Sequence, residues 1–328
     1  MRRFDFCFFV LLLLTASLVL SCCSSTLGQQ DSPRPDQKHT VELSFNFNGE
    51  WEVSDQQLIE EFGQYIENYL SYGIERHKIS IYKADNVSSA ATPVLSYDLE
   101  RVISGVGYDF TLPVTLPAGS YIVKIWTDFY EIESAKPYYD NSGFPAVLLS
   151  RHSGLTCYQD AFSGSQSITV DENTSPVKVA MNRPVGRYLL SSSDFSELLK
   201  ESGNSIEDVN VVVAYSGFYP DTYSVMTDRL TDSITGEYYV IKPQVASEGN
   251  AIVGSDFMLM NAGSSSVTLQ IGLTDSEGKL IASSENMSIP MNRNQVTLIS
   301  GKLLSKASGD GGGFDLDTGF DGDFIIKP

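Results

Sequence analysis

Apolar and polar residues alternate along much of this chain. The pattern is plainest in Val41-Glu42-Leu43-Ser44-Phe45, Ile79-Ser80-Ile81-Tyr82, Tyr108-Asp109-Phe110-Thr111-Leu112 and Tyr121-Ile122-Val123-Lys124-Ile125-Trp126. Successive side chains of an extended chain point to opposite faces, so a period of two predicts strands with one face buried and one wet. Several such runs bounded by turn residues predict a β-sandwich. Pro117-Ala118-Gly119 supplies a tight turn just before Tyr121, and a hairpin is expected there. One stretch changes period. Ser54 with Gln57 three residues on fits a capping box, and Leu58, Ile59, Phe62, Ile66 and Leu70 recur at helical spacing before Gly73. The apolar face of that helix is read as core.

Around Asn182-Arg183-Pro184-Val185-Gly186 a proline and a glycine interrupt two extended segments, which places a domain boundary there. Beyond it Tyr188-Leu189-Leu190 predicts a strand. Ser193 is the expected cap of a short helix carrying Phe195, Leu198 and Leu199 and ending near Gly203. Strands are predicted at Val209–Tyr215, Tyr238–Ile241, Val267–Leu273, Met287–Met291 and Val296–Leu303, with Asp275-Ser276-Glu277-Gly278 as a hairpin tip. The fold class is therefore all-β, two sandwiches with short helical insertions. Its segments are 40–185 and 186–306, followed by a Gly/Asp-rich tail, 307–328, with a possible terminal strand.

The N-terminal end reads differently. Arg2 and Arg3 precede an apolar run from Phe8 to Leu20, too short to span a bilayer comfortably, and Val19-Leu20-Ser21-Cys22 resembles a bacterial lipobox. Residues 1–21 are expected to be a cleaved signal, and Cys22 to carry the acyl chains that hold the protein to the outer membrane. Cys23 is the rival anchor; Cys22 is preferred because the small Ser21 precedes it. Residues 22–39 are polar, hold Gly28, Pro33 and Pro35, and predict a flexible tether.

Composition narrows the partners. With 41 acidic against 22 basic residues the formal charge is −19. Nucleic acid would need a basic patch, so it is not expected as a partner. Once Cys7 leaves with the signal and Cys22 takes lipid, Cys23 and Cys157 alone could pair, which is no disulfide framework. Cys157 is expected to be a small buried hydrophobe.

Several segments, taken in order, resemble the fimbrillin-related lipoproteins of Gram-negative anaerobes, in a branch allied to fimbrial anchor and accessory proteins. They are Ile125-Trp126-Thr127-Asp128-Phe129-Tyr130, Tyr138-Tyr139-Asp140-Asn141, Asp160-Ala161-Phe162-Ser163-Gly164, and Arg183-Pro184 leading into Tyr188. Further on come Tyr215-Ser216-Gly217-Phe218-Tyr219-Pro220, Pro290-Met291-Asn292-Arg293-Asn294-Gln295-Val296-Thr297, Gly301-Lys302-Leu303-Leu304, and the tail's Gly319-Phe320-Asp321-Gly322-Asp323-Phe324. The resemblance implies two tandem transthyretin-like or immunoglobulin-like sandwiches, and the expected outer-membrane attachment can face the cell surface or the periplasm. The resemblance also implies fimbrial subunits as partners, joined by strand complementation. The alternative is a surface glycan-binding lipoprotein of a polysaccharide uptake system.

Catalytic chemistry has little foothold. No Gly-x-Ser-x-Gly, His-Glu-x-x-His or P-loop pattern occurs, and His39, His77 and His152 stand far apart. The protein is expected to be no enzyme and to need no cofactor. Asp315-x-Asp317-x-Gly319-x-Asp321-x-Asp323 places oxygen ligands at alternate positions, as a Ca²⁺ loop does, but lacks the closing bidentate Glu. A plain acidic tail is the preferred reading. Trp51, after Gly49-Glu50, is the aromatic expected to be exposed for ligand contact, whereas Trp126 is expected in the core. Asp232-Ser233-Ile234 is read as an ordinary loop.

Overall fold

The computed structural model describes residues 37–50, 52–53, 73–88, 90–103, 109–151, 154–247 and 249–306. Its first strands are β1 (Lys38–Phe47), β2 (Glu52–Val53), β3 (Gly73–Lys83), β4 (Leu95–Ile103), β5 (Phe110–Pro117), β6 (Gly119–Tyr130), β7 (Tyr139–Asp140), β8 (Ala146–Leu149), β9 (Ala161–Val170) and β10 (Val177–Asn182). Then follow β11 (Val185–Ser192), the helix α1 (Phe195–Ser202), β12 (Val209–Ser216), β13 (Phe218–Ser224), β14 (Arg229–Thr235), β15 (Tyr238–Ile241) and β16 (Gln244–Ser247). The chain continues through β17 (Asn250–Leu259), β18 (Ser265–Asp275), β19 (Leu280–Ser283), β20 (Met287–Met291), β21 (Gln295–Gly301) and β22 (Ser305–Lys306). The architecture is all-β and sandwich-like.

The expected hairpin at Pro117-Ala118-Gly119 does not form. In the sheet order β4-β3-β6-β9-β10-β1-β5, β5 pairs with β1 while β6 lies between β3 and β9. In a flat sheet β5 and β6 would stand about 19 Å apart, at about 4.8 Å per strand. Ala118 alone links them, and two Cα steps reach at most about 7.6 Å. The sheet must therefore curl back over itself, and the turn passes the chain between its two sides. Along the sheet the two sides are linked through β9 and β10, which pair at Met181↔Gly164 and Asn182↔Ser163. A Cβ on Gly164 would meet the Ala180 carbonyl at 2.8 Å, so this close approach needs glycine. Between the sides lies one core: Val41, Leu43 and Phe45 from β1, Ile79 and Ile81 from β3, Val123 and Ile125 from β6.

The second half stacks the sheet β16-β17-β11-β21-β2 on the sheet β15-β12-β18-β19-β22, with β20 also paired to β18. Tyr188 and Leu190 of β11 enter the core between them, together with Val211, Val213, Leu269 and Ile271. Leu189, on the other side of β11, joins a smaller cluster with Ile252, Val296 and Leu298. β11 is consequently buried at every position.

Two exchanges tie the halves together. β7 and β8 complete a four-stranded sheet with β13 and β14, through Thr222↔Leu148, Tyr223↔Val147 and Ser224↔Ala146. In return β2 runs parallel to β21, with Glu52↔Gln295 and Val53↔Val296. Trp126 is buried as expected, but it faces the core that both halves share.

Smaller corrections concern local chemistry. Asp194, not Ser193, holds the N-cap position of α1, and its carboxylate accepts from the Ser192 hydroxyl and from Leu304 N–H (3.2 Å). Gly203 ends the helix at φ 72°, as its placement after Ser202 predicts. β21 stops at Gly301 rather than Leu303. Cys157 is half-buried, not buried, because it sits in the loop flanking the first core rather than on a strand. The helical stretch 54–70 lies outside the described residues.

Candidate functional site

An edge strand presents backbone N–H and C=O groups that an incoming strand can pair. Among the described strands β4 is the longest edge. Its inner side is fixed to β3 from Gly73↔Ile103 to Ile81↔Leu95, and Arg101 and Asp98 pair across to Glu75 and Lys78. Its free side carries no proline to interrupt a ladder. Ser96, Asp98, Glu100 and Val102 form its exposed face, Val102 at 59 % exposure.

The other long edges are blocked. β5 contains Pro113 and Pro117. On β14 the Leu230 N–H donates to Asn261 Oδ1 (2.9 Å) and the Ser233 N–H to Asp232 Oδ1 (2.8 Å). β2, β7, β15, β16, β20 and β22 run only two to five residues.

Behind this edge the seam between the halves is held by buried charge. Arg76 donates to both Asp128 oxygens (2.8 and 2.7 Å) and to the Tyr139 carbonyl (2.6 Å), and Trp126 Nε1 donates to Asp128 Oδ2 (2.7 Å). Burial pushes the Asp128 carboxyl up from its ordinary range, and Arg76 and the indole N–H pull it back. Arg183 donates through Nε to Asp160 (2.9 Å) and through its two terminal nitrogens to Asn294 Oδ1 (2.8 Å) and the Gly49 carbonyl (2.8 Å). Asp160 is also pushed up by burial against the pull of Arg183. Lys124, whose ammonium donates to the Met226 carbonyl (2.9 Å), is pulled down by burial.

A chain of hydroxyls fills the second core. Ser255 N–H donates to Tyr239 Oη (3.1 Å), Tyr239 and Tyr215 each lie within hydrogen-bond reach of Tyr188 Oη (2.8 and 2.7 Å), and Tyr215 donates to Asp256 Oδ2 (2.6 Å). Tyr219 Oη adds a second donor to Asp256 (3.0 Å). Every oxygen in the chain has a partner, which lets this polar line sit inside an apolar core. Burial first, and then the Asp256 charge, raise Tyr215, Tyr219 and Tyr239 well above their usual value.

The residues singled out in the sequence divide sharply. Cys22, Trp51, His152 and the aspartates Asp315, Asp317, Asp321 and Asp323 lie outside the described residues. His39 is half-buried on β1, while His77 is buried on β3 with Nδ1 2.8 Å from Thr127 Oγ1 and Nε2 3.5 Å from Glu75. Among the described residues no three His, Cys, Asp or Glu side chains gather to hold a metal ion. Asp232, Ser233 and Ile234 belong to β14 rather than to a loop, because the strand pairs with β13. The β4 edge was not foreseen; the alternation of Leu95, Tyr97 and Leu99 with Ser96, Asp98 and Glu100 was the available signal.

An all-β chain of two linked, layered halves is thus a scaffold of sheets and edges. It belongs to a family of unknown function, DUF6562, whose model matches residues 34–327. No curated protein matches it. It is similar in fold to a candidate adhesin from Bacteroides ovatus, at 14 % identity and a TM-score of 0.43, over 75 % of this chain and 77 % of that one. It is likewise similar to the fimbrial anchor protein Mfa2 from Porphyromonas gingivalis (11 %, 0.37, 75 % and 82 %). A third similar structure is a fimbrial assembly protein from Parabacteroides distasonis (11 %, 0.37, 80 % and 91 %).

Proposed function

We propose that this protein is a non-enzymatic cell-envelope lipoprotein, acylated at Cys22 and held at the outer membrane, that serves as a fimbria-associated anchor, accessory or adhesin-like component. Its working parts are two tandem transthyretin-like or immunoglobulin-like sandwiches, 40–185 and 186–306, spaced from the membrane by residues 22–39. The observation that carries the reading is the β4 edge, which is long, free of proline and, among the described residues, paired on its inner side alone. Such an edge can accept a strand from a fimbrial subunit, main chain supplying affinity and alternate side chains specificity. The lipobox at Cys22 and the segments that resemble fimbrillin-related lipoproteins support the same role. The tail 307–328, which follows β22, is its candidate donor strand, in cis or toward a neighbour.

Substituting Ser96→Lys together with Val102→Lys tests the edge. Val102 is an exposed apolar side chain, so its change should cost no more than about 0.5 kcal/mol, while Ser96 gives up a hydroxyl contact with the buried Ser80 (3.0 Å), about 1 kcal/mol more. Lysines on an edge oppose strand addition. Association with fimbrial subunits of the same cell should fall about tenfold or more, as measured by co-purification from envelopes. Unchanged association of a variant that still unfolds cooperatively would remove β4 from the account.

A further inference from the structure

A second surface has chemistry of its own, independent of strand pairing at β4. Between the β13–β14 hairpin and the loop joining β17 to β18 lies a groove of about 530 Å³, within the range of small-ligand sites. At its mouth stands Phe218, 77 % exposed and the most exposed of the large apolar side chains among the described residues. Gly217 puts it there. With φ at 96° it turns the chain from β12, in one sheet, into β13, in another, and a residue with a Cβ would be strained at that angle. The groove floor is apolar, formed by Met260, Val267 and Met291, all at most 5 % exposed.

The rim is polar and nearly uncharged. Among the described residues Asp232 is the one charged side chain lining the groove, alongside Thr231, Ser233, Asn261 and Ser264. An anion finds no cation there, and a single carboxylate is a poor cage for a metal ion. An added peptide strand would need the backbone donors of β14, but Asn261 and Asp232 already occupy those of Leu230 and Ser233. The same two bonds leave the Asn261 amide NH₂ and the second Asp232 oxygen available to a ligand. Asn261 supplies donors and Asp232 an acceptor, beside an open aromatic face.

We propose that this groove binds a neutral saccharide. A pyranose ring has an apolar face of C–H bonds that fits the electron-rich face of Phe218. Its hydroxyls, each both donor and acceptor, match the amide and the carboxylate on the rim. Phe218 is the stacking platform, and Asp232 and Asn261 fix the ring's orientation.

The test uses the full mature chain in detergent on an array of neutral glucose-, galactose-, mannose- and N-acetylhexosamine-containing oligosaccharides, with a library of extended peptides as the competing class. Binding of at least one neutral oligosaccharide is expected, with Phe218→Ala weakening it about tenfold or more. Phe218→Tyr, which keeps the ring, should restore it, and Asp232→Asn should shift which sugars bind. Because Phe218 is exposed, the alanine variant should keep its thermal midpoint. No saccharide binding, binding untouched by Phe218→Ala, or binding of peptides instead would each overturn the proposal. The Ser96→Lys/Val102→Lys variant should bind sugar normally, so failure at β4 and failure here are separable.

Discussion

Raising the pH above about 10 should unfold this protein within one to two pH units, with tyrosinate absorbance and loss of β-structure rising together. Tyr139, Tyr188, Tyr215, Tyr219 and Tyr239 are all held well above the usual tyrosine value, in each case first by burial. In the unfolded chain they ionise near pH 10. The folded state therefore binds more protons from that pH upward, and stability falls as pH rises. The full contribution is present below the unfolded value. Each such group removes about 1.4 kcal/mol per pH unit, so five together remove up to about 7, against a total stability of about 5–15 kcal/mol. Tyr188→Phe should make the alkaline transition shallower by about one proton. Tyrosines that titrate gradually near pH 10 while the circular dichroism stays native would mean that the hydroxyl chain is open to water.

The second large effect is expected at the seam. Arg183→Ala leaves the buried Asp160 carboxylate without its cation and also releases Asn294 and the Gly49 carbonyl. Removing one partner of a buried ion pair costs about 3–5 kcal/mol, a large share of the whole. The urea midpoint should drop accordingly. Hydrogen exchange should rise first at residues 49–53, because Arg183 ties the chain just before β2 to the turn that leads into β21. Arg183→Met combined with Asp160→Leu should recover much of the loss, since the pair is then replaced rather than broken. A midpoint unchanged by Arg183→Ala would mean that the halves are joined by their shared sheet and core alone.

The strands were legible where apolar residues alternate with polar ones. β1 and β20, each with one wet face, contain the runs that begin at Val41 and Met287; β3 and β6 contain those at Ile79 and Tyr121, although both of their faces are largely buried there. β17 was not, because Ala251 to Leu259 is buried on both faces and its apolar run carries no alternation. The turn at Pro117-Ala118-Gly119 was legible as a turn, but its residues suit a chain that crosses to another layer as well as one that returns beside itself. Pairing of β8 with β13 and of β2 with β21 joins residues remote in sequence, so no local pattern could reveal it.

The segments that carry the family resemblance supply much of the seam's polar chemistry. Trp126, Asp128 and Tyr139 meet on one side, Asp160, Arg183 and Asn294 on another, and Tyr188, Tyr215 and Tyr219 line the second core. What they specify is how the halves lock. Of the candidate working surfaces, β4 lies outside these segments, while the groove draws on them at Phe218, Pro220 and Met291. Whether a strand is an edge depends on the order of the whole sheet, so β4 could be read as a strand from its alternation but not as an open one. In the sequence Phe218 is one apolar residue within a familial segment, and its exposure follows from the turn at Gly217.

Hydrogen exchange of the β4 amides, followed in the intact envelope and again in the purified, detergent-solubilised protein, tests the account most directly. Residues 95–103 should exchange on their outward side once the protein is isolated and be protected in the envelope, where a partner strand covers the edge. Equal exchange in both settings would contradict strand acceptance at β4.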